Sequence, residues 1–389
     1  MNPPYKRVAL GFVVAVGMLG VVPGVAFAAN PTCGTTIMSN TTLSADVDCT
    51  AGGMDGITFG KKGITLNLNG HTIWGPTSSD SYSGVNTNNK KHVTVKNGTI
   101  SDFDTGVYAQ QSVGGTFSKL TLVADADDSD PVGIYVGYGG NNTLNKIHTS
   151  DFYIGVYLYG AVNNWISNGK YLDDEYGVYT EYDSQDHFVN NYAEAWYAGF
   201  YEDYGGGQTW TNNEANGDEN GADYGFYFDC DTYGAVWASG NEAYGNDDYG
   251  FYIYYCYDWT NPSANPSVVK NNSAHDNAGD SAYGFYDYES LYATYTNNVA
   301  TTNEYYGFDM ESSGQVVFKS NVANHNGGDG IYTDTYSTSY NFASFANNKA
   351  NSNDGYGIDG DYAIPNASGN TAHGNGTAPD DCYNVECNQ

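Results

Sequence analysis

The chain has 389 residues, with 45 acidic and 13 basic side chains and a formal net charge of −32. Phosphate backbones are bound by Lys and Arg, so this composition argues against nucleic acid as a partner. Because 40% of the residues are hydrophobic, the chain is not disordered. Its 49 glycines and 38 tyrosines favour short strands joined by turns over helices.

The N-terminal segment has the three parts of a secretory signal peptide. Lys6 and Arg7 precede an apolar stretch from Val8 to Val22, and Ala26-Phe27-Ala28 supplies small residues before the predicted cleavage site. The stretch is short for a membrane span. We therefore expect residues 1–28 to be removed. The product would be a secreted, extracellular protein without a membrane anchor, with a net charge of −34 and no arginine.

Glycine followed by an apolar residue recurs along the chain at a nearly regular interval. Seven of the eleven intervals are 22 to 25 residues long, and the others are 26 to 34. An interval of about 22 residues fits one coil of three short strands that buries its apolar side against neighbouring coils. The repeat glycines are Gly84, Gly106, Gly133, Gly155, Gly177, Gly199, Gly225, Gly250, Gly284, Gly307, Gly330 and Gly357.

A second signature, N-x-A-x-x-N, lies between repeat glycines in the C-terminal half, as in Asn272-Ala274-Asn277. Stacked Asn side chains satisfy the backbone groups of turns, so we interpret these residues as structural. Each unit then comprises a strand, an asparagine turn, a second short strand and a glycine turn. This pattern predicts an all-β fold, a single-stranded right-handed parallel β-helix of about twelve coils with an N-terminal cap.

The N-terminal part of the expected mature chain resembles a known family. Cys33-Gly34, the run from Thr41 to Cys49, and ITLNLNGHTIWG from Ile64 to Gly75 resemble the capping first coils of bacterial secreted right-handed parallel β-helix proteins. Those β-helix proteins belong to the pectate-lyase-like superfamily, whose members include proteins with NosD-type repeats. We accordingly divide the chain into a signal peptide (1–28), a cap with the first coils (29–75), β-helix repeats (76–375) and a disulfide-bearing tail (376–389).

The six cysteines are even in number, which in an exported chain indicates disulfides. Cys230 and Cys256 lie five and six residues after consecutive repeat glycines, so they should be neighbours on adjacent rungs. A zinc site is the rival interpretation, but no CxxC pair supports it. Proximity in sequence predicts the pairs Cys33–Cys49, Cys230–Cys256 and Cys382–Cys387.

Strand periodicity assigns the residues after each repeat glycine to faces. The first position is apolar in all twelve coils and should point inward, so the second should point outward. That second position is Tyr in nine of the eleven later coils, and the outward fourth position holds only Tyr or an acid from Tyr159 onward. At the inward third position, the acids Glu202 and Asp287 break the apolar pattern. We call the outward second- and fourth-position side chains from Tyr108 to Asp361 the tyrosine face.

The tyrosine face allows two interpretations. Stacked tyrosines stabilise a sheet and acids keep it solvated, which would suit a non-catalytic structural surface or matrix solenoid. A contiguous exposed aromatic patch usually has a binding purpose, and rings beside hydrogen-bonding acids suit a sugar. We favour a protein that binds extracellular polysaccharide, neutral rather than anionic, because its charge repels acidic glycans unless Ca²⁺ bridges them. The predicted substrate-binding residues are Tyr179, Tyr201, Tyr227 and Tyr252.

The sequence leaves open whether the protein also degrades its polysaccharide. Glycoside hydrolysis needs two carboxyl groups, about 5 to 5.5 Å apart for retention and 6.5 to 9.5 Å for inversion, and fourth-position acids on adjacent coils come near the first distance. The predicted catalytic cluster is Glu181, Asp203 and Asp229. A second acidic cluster, with calcium as its potential cofactor, is Asp309, Glu311 and Asp334.

Calcium-dependent lyases and epimerases are the lesser alternative. Polysaccharide lyases of this fold resemble one another in using calcium with an Arg or Lys base, and the expected mature chain has no Arg. The segment Tyr306–Asp309 is similar to the strand YGFDPHE of alginate C5-epimerases. However, Met310-Glu311-Ser312 follows where those enzymes have Pro-His-Glu with the catalytic histidine. If the protein is an enzyme, a glycoside hydrolase is therefore favoured. The sequence predicts no oligomeric state.

Overall fold

The computed structural model describes residues 30–76, 81–124, 130–217, 221–230, 234–258, 263, 265–279, 281–334, 342–364, 367–376 and 381–388. Over these ranges the chain forms 39 β-strands and no helix. None of the described residues forms an apolar helix long enough to span a membrane. The predicted signal peptide, residues 1–28, lies outside the described residues.

The strands pair in parallel and wind into a β-helix of about 14 coils. The fold is the predicted one, with slightly more coils than the twelve counted from the repeat glycines. The difference arises at the two ends. The cap contributes rungs at Thr35–Ile37 and Ile57–Phe59, the second of which pairs with Val85, and the tail contributes one at Cys382, which pairs with Ile358.

Each coil passes through three faces. Strands of the first face, which carries the tyrosines, are β1 (Thr35–Ile37), β4 (Ile57–Phe59), β7 (Ser83–Asn86), β9 (Thr105–Tyr108), β11 (Val132–Gly137), β13 (Ile154–Tyr159), β20 (Tyr224–Asp229), β23 (Tyr249–Tyr254), β26 (Tyr283–Tyr288), β29 (Phe308–Glu311), β32 (Ile331–Asp334), β35 (Ile358–Gly360) and β38 (Cys382–Tyr383). Strands of the second face are β2 (Thr41–Thr42), β5 (Thr65–Asn67), β14 (Trp165–Ser167), β16 (His187–Val189), β18 (Thr209–Thr211), β21 (Trp237–Ser239), β24 (Val268–Lys270), β27 (Thr294–Thr296), β30 (Val317–Lys319), β33 (Ser344–Ala346) and β36 (Ala367–Ser368).

Strands of the third face are β3 (Val47–Asp48), β6 (Thr72–Trp74), β19 (Glu214–Asn216), β22 (Glu242–Tyr244), β25 (Ser273–His275), β28 (Val299–Thr301), β31 (Val322–Asn324), β34 (Lys349–Asn351), β37 (Asn370–His373) and β39 (Cys387–Asn388). Five longer strands each span two faces. Three of them run from the second face into the third: β8 (Thr94–Ser101), β10 (Thr116–Val123) and β12 (Thr143–Ser150). Two run from the third face into the first: β15 (Lys170–Glu181) and β17 (Tyr192–Asp203).

The interior column predicted from the first position after each repeat glycine is confirmed. Strand register stacks its members on successive rungs, and every one of these side chains is 0% exposed. From Phe200 to Phe308 the rings stack face to face, with centroids 4.6 to 4.8 Å apart and planes within 14°. The predicted members are Val107, Ile134, Val156, Val178, Phe200, Phe226 and Phe251.

The repeat glycines do not form turns, which corrects the prediction from the sequence. They lie in the strands of the first face or directly before them, and they stack on one another from rung to rung. A Cβ atom on Gly106 would lie 2.6 Å from the carbonyl oxygen of Gly133, and one on Gly225 would lie 2.7 Å from that of Gly250. The close approach of the next rung, rather than a left-handed backbone, therefore requires glycine.

Asparagine ladders fill two corners of the coil, as the N-x-A-x-x-N signature predicted. Asn241 Nδ2 donates to Asn272 Oδ1 at 3.0 Å and to the carbonyl oxygen of Trp210 at 2.9 Å. The same Asn272 Oδ1 accepts the backbone N–H of Asn241 at 2.8 Å. The ladder between the second and third faces runs from Asn191 to Asn370, and that between the third and first faces runs from Asn246 to Asn375. These side chains hold the turns and are buried.

The three disulfides join the cysteines that the sequence paired. Cys230 and Cys256 are both fully buried, and their Cα atoms are 4.7 Å apart across adjacent rungs. Cys33–Cys49 lies in the cap, and Cys382–Cys387 joins the two last strands, β38 and β39.

Candidate functional site

The tyrosine face is built by the register of the first-face strands. Tyr179 pairs with Tyr201, which pairs with Tyr227 and then Tyr252, so the predicted substrate-binding residues form one column. All four side chains are half-buried. The rings of Tyr201 and Tyr227 are 4.2 Å apart with planes within 2°, and those of Tyr227 and Tyr252 are 4.9 Å apart within 3°. Tyr179 instead meets Tyr201 edge to face, with centroids 5.2 Å apart and planes at 74°, so the parallel stack runs from Tyr201 to Tyr252.

Tyrosine hydroxyls connect this column to the carboxylates at the fourth position. Tyr157 Oη donates to Glu181 Oε2 at 2.6 Å, and Tyr286 Oη donates to Glu311 Oε2 at 3.0 Å. In both pairs the acid lies one rung beyond the tyrosine, as it does where Tyr332 Oη donates to an oxygen of Asp361. Burial and the neighbouring acid both raise the pKa of Tyr157. The phenols are thus neutral donors, and each such carboxylate keeps a further oxygen for other donors.

The structure brings the predicted catalytic residues together. Glu181 and Asp203 pair in register, and Asp229 follows on the next rung beside Phe228. Glu181 and Asp203 are half-buried, whereas Asp229 is only 9% exposed. The three carboxyl groups lie alongside the predicted substrate-binding tyrosines. Their catalytic role stays a prediction.

The predicted metal cluster is arranged differently. Glu311 and Asp334 pair on adjacent rungs, but Asp309 takes the place of a tyrosine in the neighbouring column, between Tyr286 and Tyr332. Asp309 is 2% exposed, and its Oδ1 has no hydrogen-bond partner. Burial and the charges of Glu311 and Asp334 raise the pKa of Asp309 to about 8, so this carboxyl is protonated at neutral pH.

Calcium at this cluster stays a prediction. Among the residues that the structure describes, no group of three or more His, Cys, Asp or Glu side chains is placed to hold a metal ion. Glu311 Oε2 is already an acceptor for Tyr286, and Asp309 holds its proton at neutral pH.

Glu202 and Asp287, the two acids at the inward third position, are both fully buried. Glu202 accepts a hydrogen bond from Trp210 Nε1 at 3.1 Å, and burial raises its pKa to about 8. Asp287 accepts hydrogen bonds from the hydroxyls of Ser313 and Tyr295. Side chains therefore still alternate between inward and outward at these positions, although the inward residue is an acid. Neither acid contributes to the tyrosine face.

A second tyrosine column, which was not predicted from the sequence, lies beside the first. Its members directly precede the repeat glycines, and each contacts the second-position tyrosine of its own coil with centroids 5.0 to 5.4 Å apart. The sequence does contain a pattern that would have predicted this column, because the residue before the repeat glycine is Tyr in several coils. This column, which widens the aromatic surface, comprises Tyr176, Tyr224, Tyr249 and Tyr283.

Two family models match the chain. One, described as periplasmic copper-binding protein (NosD), matches residues 33–225, and the other, described as right handed beta helix region, matches residues 224–376. Both agree with the parallel coils described above. The chain is a right-handed parallel β-helix repeat protein.

Copper sites use imidazole, thiolate or thioether ligands. All six cysteines of this β-helix protein are bound in disulfides, and the described residues contain no group of three or more His, Cys, Asp or Glu side chains placed to hold a metal ion. The described part of the chain therefore does not fit a copper site built from imidazole and thiolate ligands.

Solved structures of the same fold are similar at low sequence identity. A variant of the periplasmic alginate epimerase AlgG is 12% identical, with 83% of this chain and 78% of that chain covered and a TM-score of 0.52. The A-module of the mannuronan C-5 epimerase AlgE6 from Azotobacter vinelandii is 14% identical, with 90% and 91% covered and a TM-score of 0.47. No curated protein matches the sequence. At these identities the likeness shows the fold alone.

Proposed function

We propose that this β-helix protein binds a polysaccharide without acidic groups along the tyrosine face. The observation that carries the proposal is an uninterrupted column of eight tyrosines on consecutive rungs, from Tyr108 to Tyr286, beside a column rich in acids. With rungs about 4.8 Å apart, this column is about 34 Å long, which suits an extended polymer. AlgG, which has the same fold, is an epimerase of the polysaccharide alginate by its name.

The two columns supply complementary contacts. The half-buried rings of both columns, as at Tyr201 and Tyr224, offer apolar surface to the C–H groups of a sugar ring. Carboxylates such as Glu181 and Asp203 offer acceptors to sugar hydroxyls. The net charge of −32 repels acidic polymers, which is why the proposed ligand has no acidic groups.

A structural solenoid is the second candidate, and the stacking favours it. The faces of Tyr201, Tyr227 and Tyr252 cover one another, so a large part of each ring is already used for packing. Such pairs stabilise a sheet by about 0.5–1.5 kcal/mol each. If packing were the whole role of the column, removal of a ring would change stability and nothing else.

The deciding experiment is a glycan array with the full-length protein, followed by calorimetry on any hit with Tyr201→Ala. We expect affinity for the glycan to fall about tenfold, which corresponds to about 1.4 kcal/mol. Tyr362→Ala is the matched control, because Tyr362 is 53% exposed and lies beyond the first-face strand β35. A lower melting temperature for Tyr201→Ala with no glycan bound by either protein would favour the structural solenoid.

Hydrolysis by the predicted catalytic cluster is tested on the same glycans by the release of reducing sugar. If Asp203 takes part, Asp203→Asn should abolish release and leave the melting temperature unchanged or raised, because it relieves repulsion from Glu181 on the adjacent rung. Addition of EDTA tests the predicted calcium. Release that survives both changes would remove Asp203 and calcium from the mechanism.

A further inference from the structure

A cleft of about 600 Å³ lies at the corner between the third and first faces, beside the tyrosine face. Its lining comes from five successive rungs, which at about 4.8 Å per rung gives it a length of about 19 Å. The lining residues that matter here are Asp130, Asp173, Glu175, Trp196, Tyr197 and Asp223.

An irregularity in strand pairing forms the wall of this cleft. Strands β15 and β17 pass through the corner without a break, and their register shifts on both sides of Asp174. Asp174 is fully buried and accepts the backbone N–H of Phe152 at 2.9 Å and the hydroxyl of Thr149. Its neighbours Asp173 and Glu175 are consequently exposed, as bulges redirect adjacent side chains.

A tryptophan gives the cleft an exposed aromatic surface. Trp196 is 56% exposed, and its Nε1 donates to the carbonyl oxygen of Asp173 at 3.2 Å, which fixes the indole to the wall. The ring of Tyr197 lies 5.5 Å from that of Tyr224 and 6.2 Å from that of Tyr201. The cleft is therefore continuous with both tyrosine columns.

The charged side chains that line the cleft are all acidic. Its described lining includes five carboxyl groups and no Lys, Arg or His side chain. Burial, and then the charge of Asp130, raise the pKa of Glu175, while burial with the charges of Asp248 and Asp247 raises that of Asp223. The carboxylates thus repel one another, and a concave site lined by one sign of charge concentrates ligands of the opposite sign.

We infer that this cleft binds an amino-sugar unit of the polysaccharide, with its protonated amine among the carboxylates and the apolar face of its ring on Trp196. The inference deepens the proposed polysaccharide binding and rests on it. A simple cation would need no exposed indole, and a neutral sugar would need no such excess of acids. The combination of Trp196 with Glu175 and Asp223 favours a polymer that contains free glucosamine units.

The test compares dissociation constants of the full-length protein for a glucosamine hexamer, its N-acetylated counterpart and a neutral glucose hexamer at low salt. We expect the glucosamine hexamer to bind at least about tenfold more tightly than the other two. Glu175→Gln should remove about that preference, and Trp196→Ala should weaken all binding at the cleft by about tenfold. Asp223→Asn replaces Glu175→Gln if the latter does not fold.

Two control variants should leave the constants unchanged. Trp165→Ala removes an indole that is 46% exposed on the second face, and Asp354→Asn removes an exposed charge at a later coil. Equal affinity for the three hexamers with no effect of Glu175→Gln would overturn the amino-sugar inference but not polysaccharide binding. Absence of binding to all three hexamers would also overturn the amino-sugar inference, and the glycan array would then decide separately on polysaccharide binding. Tight binding of oligolysine that survives Trp196→Ala would also overturn the inference, since charge alone would then explain the cleft.

Discussion

Asp186 interrupts a ladder of amide side chains at the corner between the first and second faces. Asn142 Nδ2 donates to Asn164 Oδ1 at 3.0 Å, and Asn164 Nδ2 donates to Asp186 Oδ1 at 2.9 Å. Asp186 has no N–H to continue the ladder. Its Oδ2 and the Oε1 of Gln208 on the next rung are both buried without a hydrogen-bond partner. A proton on Asp186 is the donor that this corner lacks, and burial accordingly raises the pKa of Asp186 to about 7.

Two further carboxyl groups share this corner. Asp183 Oδ2 and Glu202 Oε1 are buried without partners, and Glu202 extends into the space left by the absent side chain of Gly205. Burial, followed by the charge of Asp186, raises the pKa of Asp183 well above its usual range. Asp186 and Glu202 are therefore protonated in part or in full at neutral pH.

The first prediction is a loss of stability as the pH rises. Unfolded carboxyl groups titrate near pH 4, whereas Asp186 and Glu202 in the folded protein titrate near 7 and 8. Between these values the folded state binds more protons than the unfolded state, so the free energy of unfolding falls from about pH 4 to about pH 8 and then levels off. Urea denaturation at several pH values measures it, and stability that rises over this range would contradict the argument.

The second prediction is that Asp186→Asn stabilises the protein. The new amide can donate to Gln208 Oε1 and continue the ladder without a titrating group. We expect the free energy of unfolding to rise by about 1–3 kcal/mol at pH 8 and by less at pH 5, where Asp186 is already protonated. Asp354→Asn, at an exposed position, should change it by less than about 0.5 kcal/mol at either pH. An equal gain at both pH values would show that protonation is not the cause.

At the scale of strands, the sequence predicted columns well and contacts between rungs poorly. The inward column through Phe226 and the tyrosine column through Tyr227 follow from a period of two and a repeat of fixed length. The need for glycine at position 225 could not be predicted in this way, because the carbonyl oxygen that Gly225 approaches belongs to Gly250, 25 residues further along the chain. The cleft beside Trp196 was missed for the same reason. It depends on five coils and on a register shift at Asp174 that no local pattern records.

The third prediction concerns the stacked glycines. In Gly225→Ala the new Cβ would lie 2.7 Å from the carbonyl oxygen of Gly250 and 2.8 Å from the Cβ of Ala243. Separation of the two rungs should lower the free energy of unfolding by about 1–3 kcal/mol, the usual cost of overpacking. Gly52→Ala is the control, because its nearest neighbours would be 3.9 Å away. Thermal denaturation of both variants measures the difference, and equal melting temperatures would refute the stacking argument.

Over the whole molecule, negative charge is poorly compensated. The chain has 45 acidic and 13 basic side chains. Among the described residues, every ion pair involves His71 or His275 rather than Lys. The columns of the first face add to the repulsion, since they place acids such as Glu311 and Asp334 on adjacent rungs.

The fourth prediction follows from this repulsion. Addition of NaCl to about 0.15 M shortens the screening length to about 8 Å and should raise the melting temperature by a few degrees. The gain should be larger at pH 8 than at pH 5, where fewer carboxyl groups are charged. Differential scanning calorimetry with NaCl and with an uncharged osmolyte as control measures it. A melting temperature that falls with salt would mean that ion pairs outweigh repulsion.

The corners of the coil absorb differences in chain length. The interval from Gly250 to Gly284 is 34 residues, against 22 from Gly177 to Gly199, yet Phe251 still pairs with Phe285. Since the entropic cost of a longer loop grows only slowly, a coil can gain a dozen residues there without moving any column. Insertions and deletions at these corners are thus neutral for the faces. A peptide grafted at such a corner should therefore leave the register of the first-face columns unchanged.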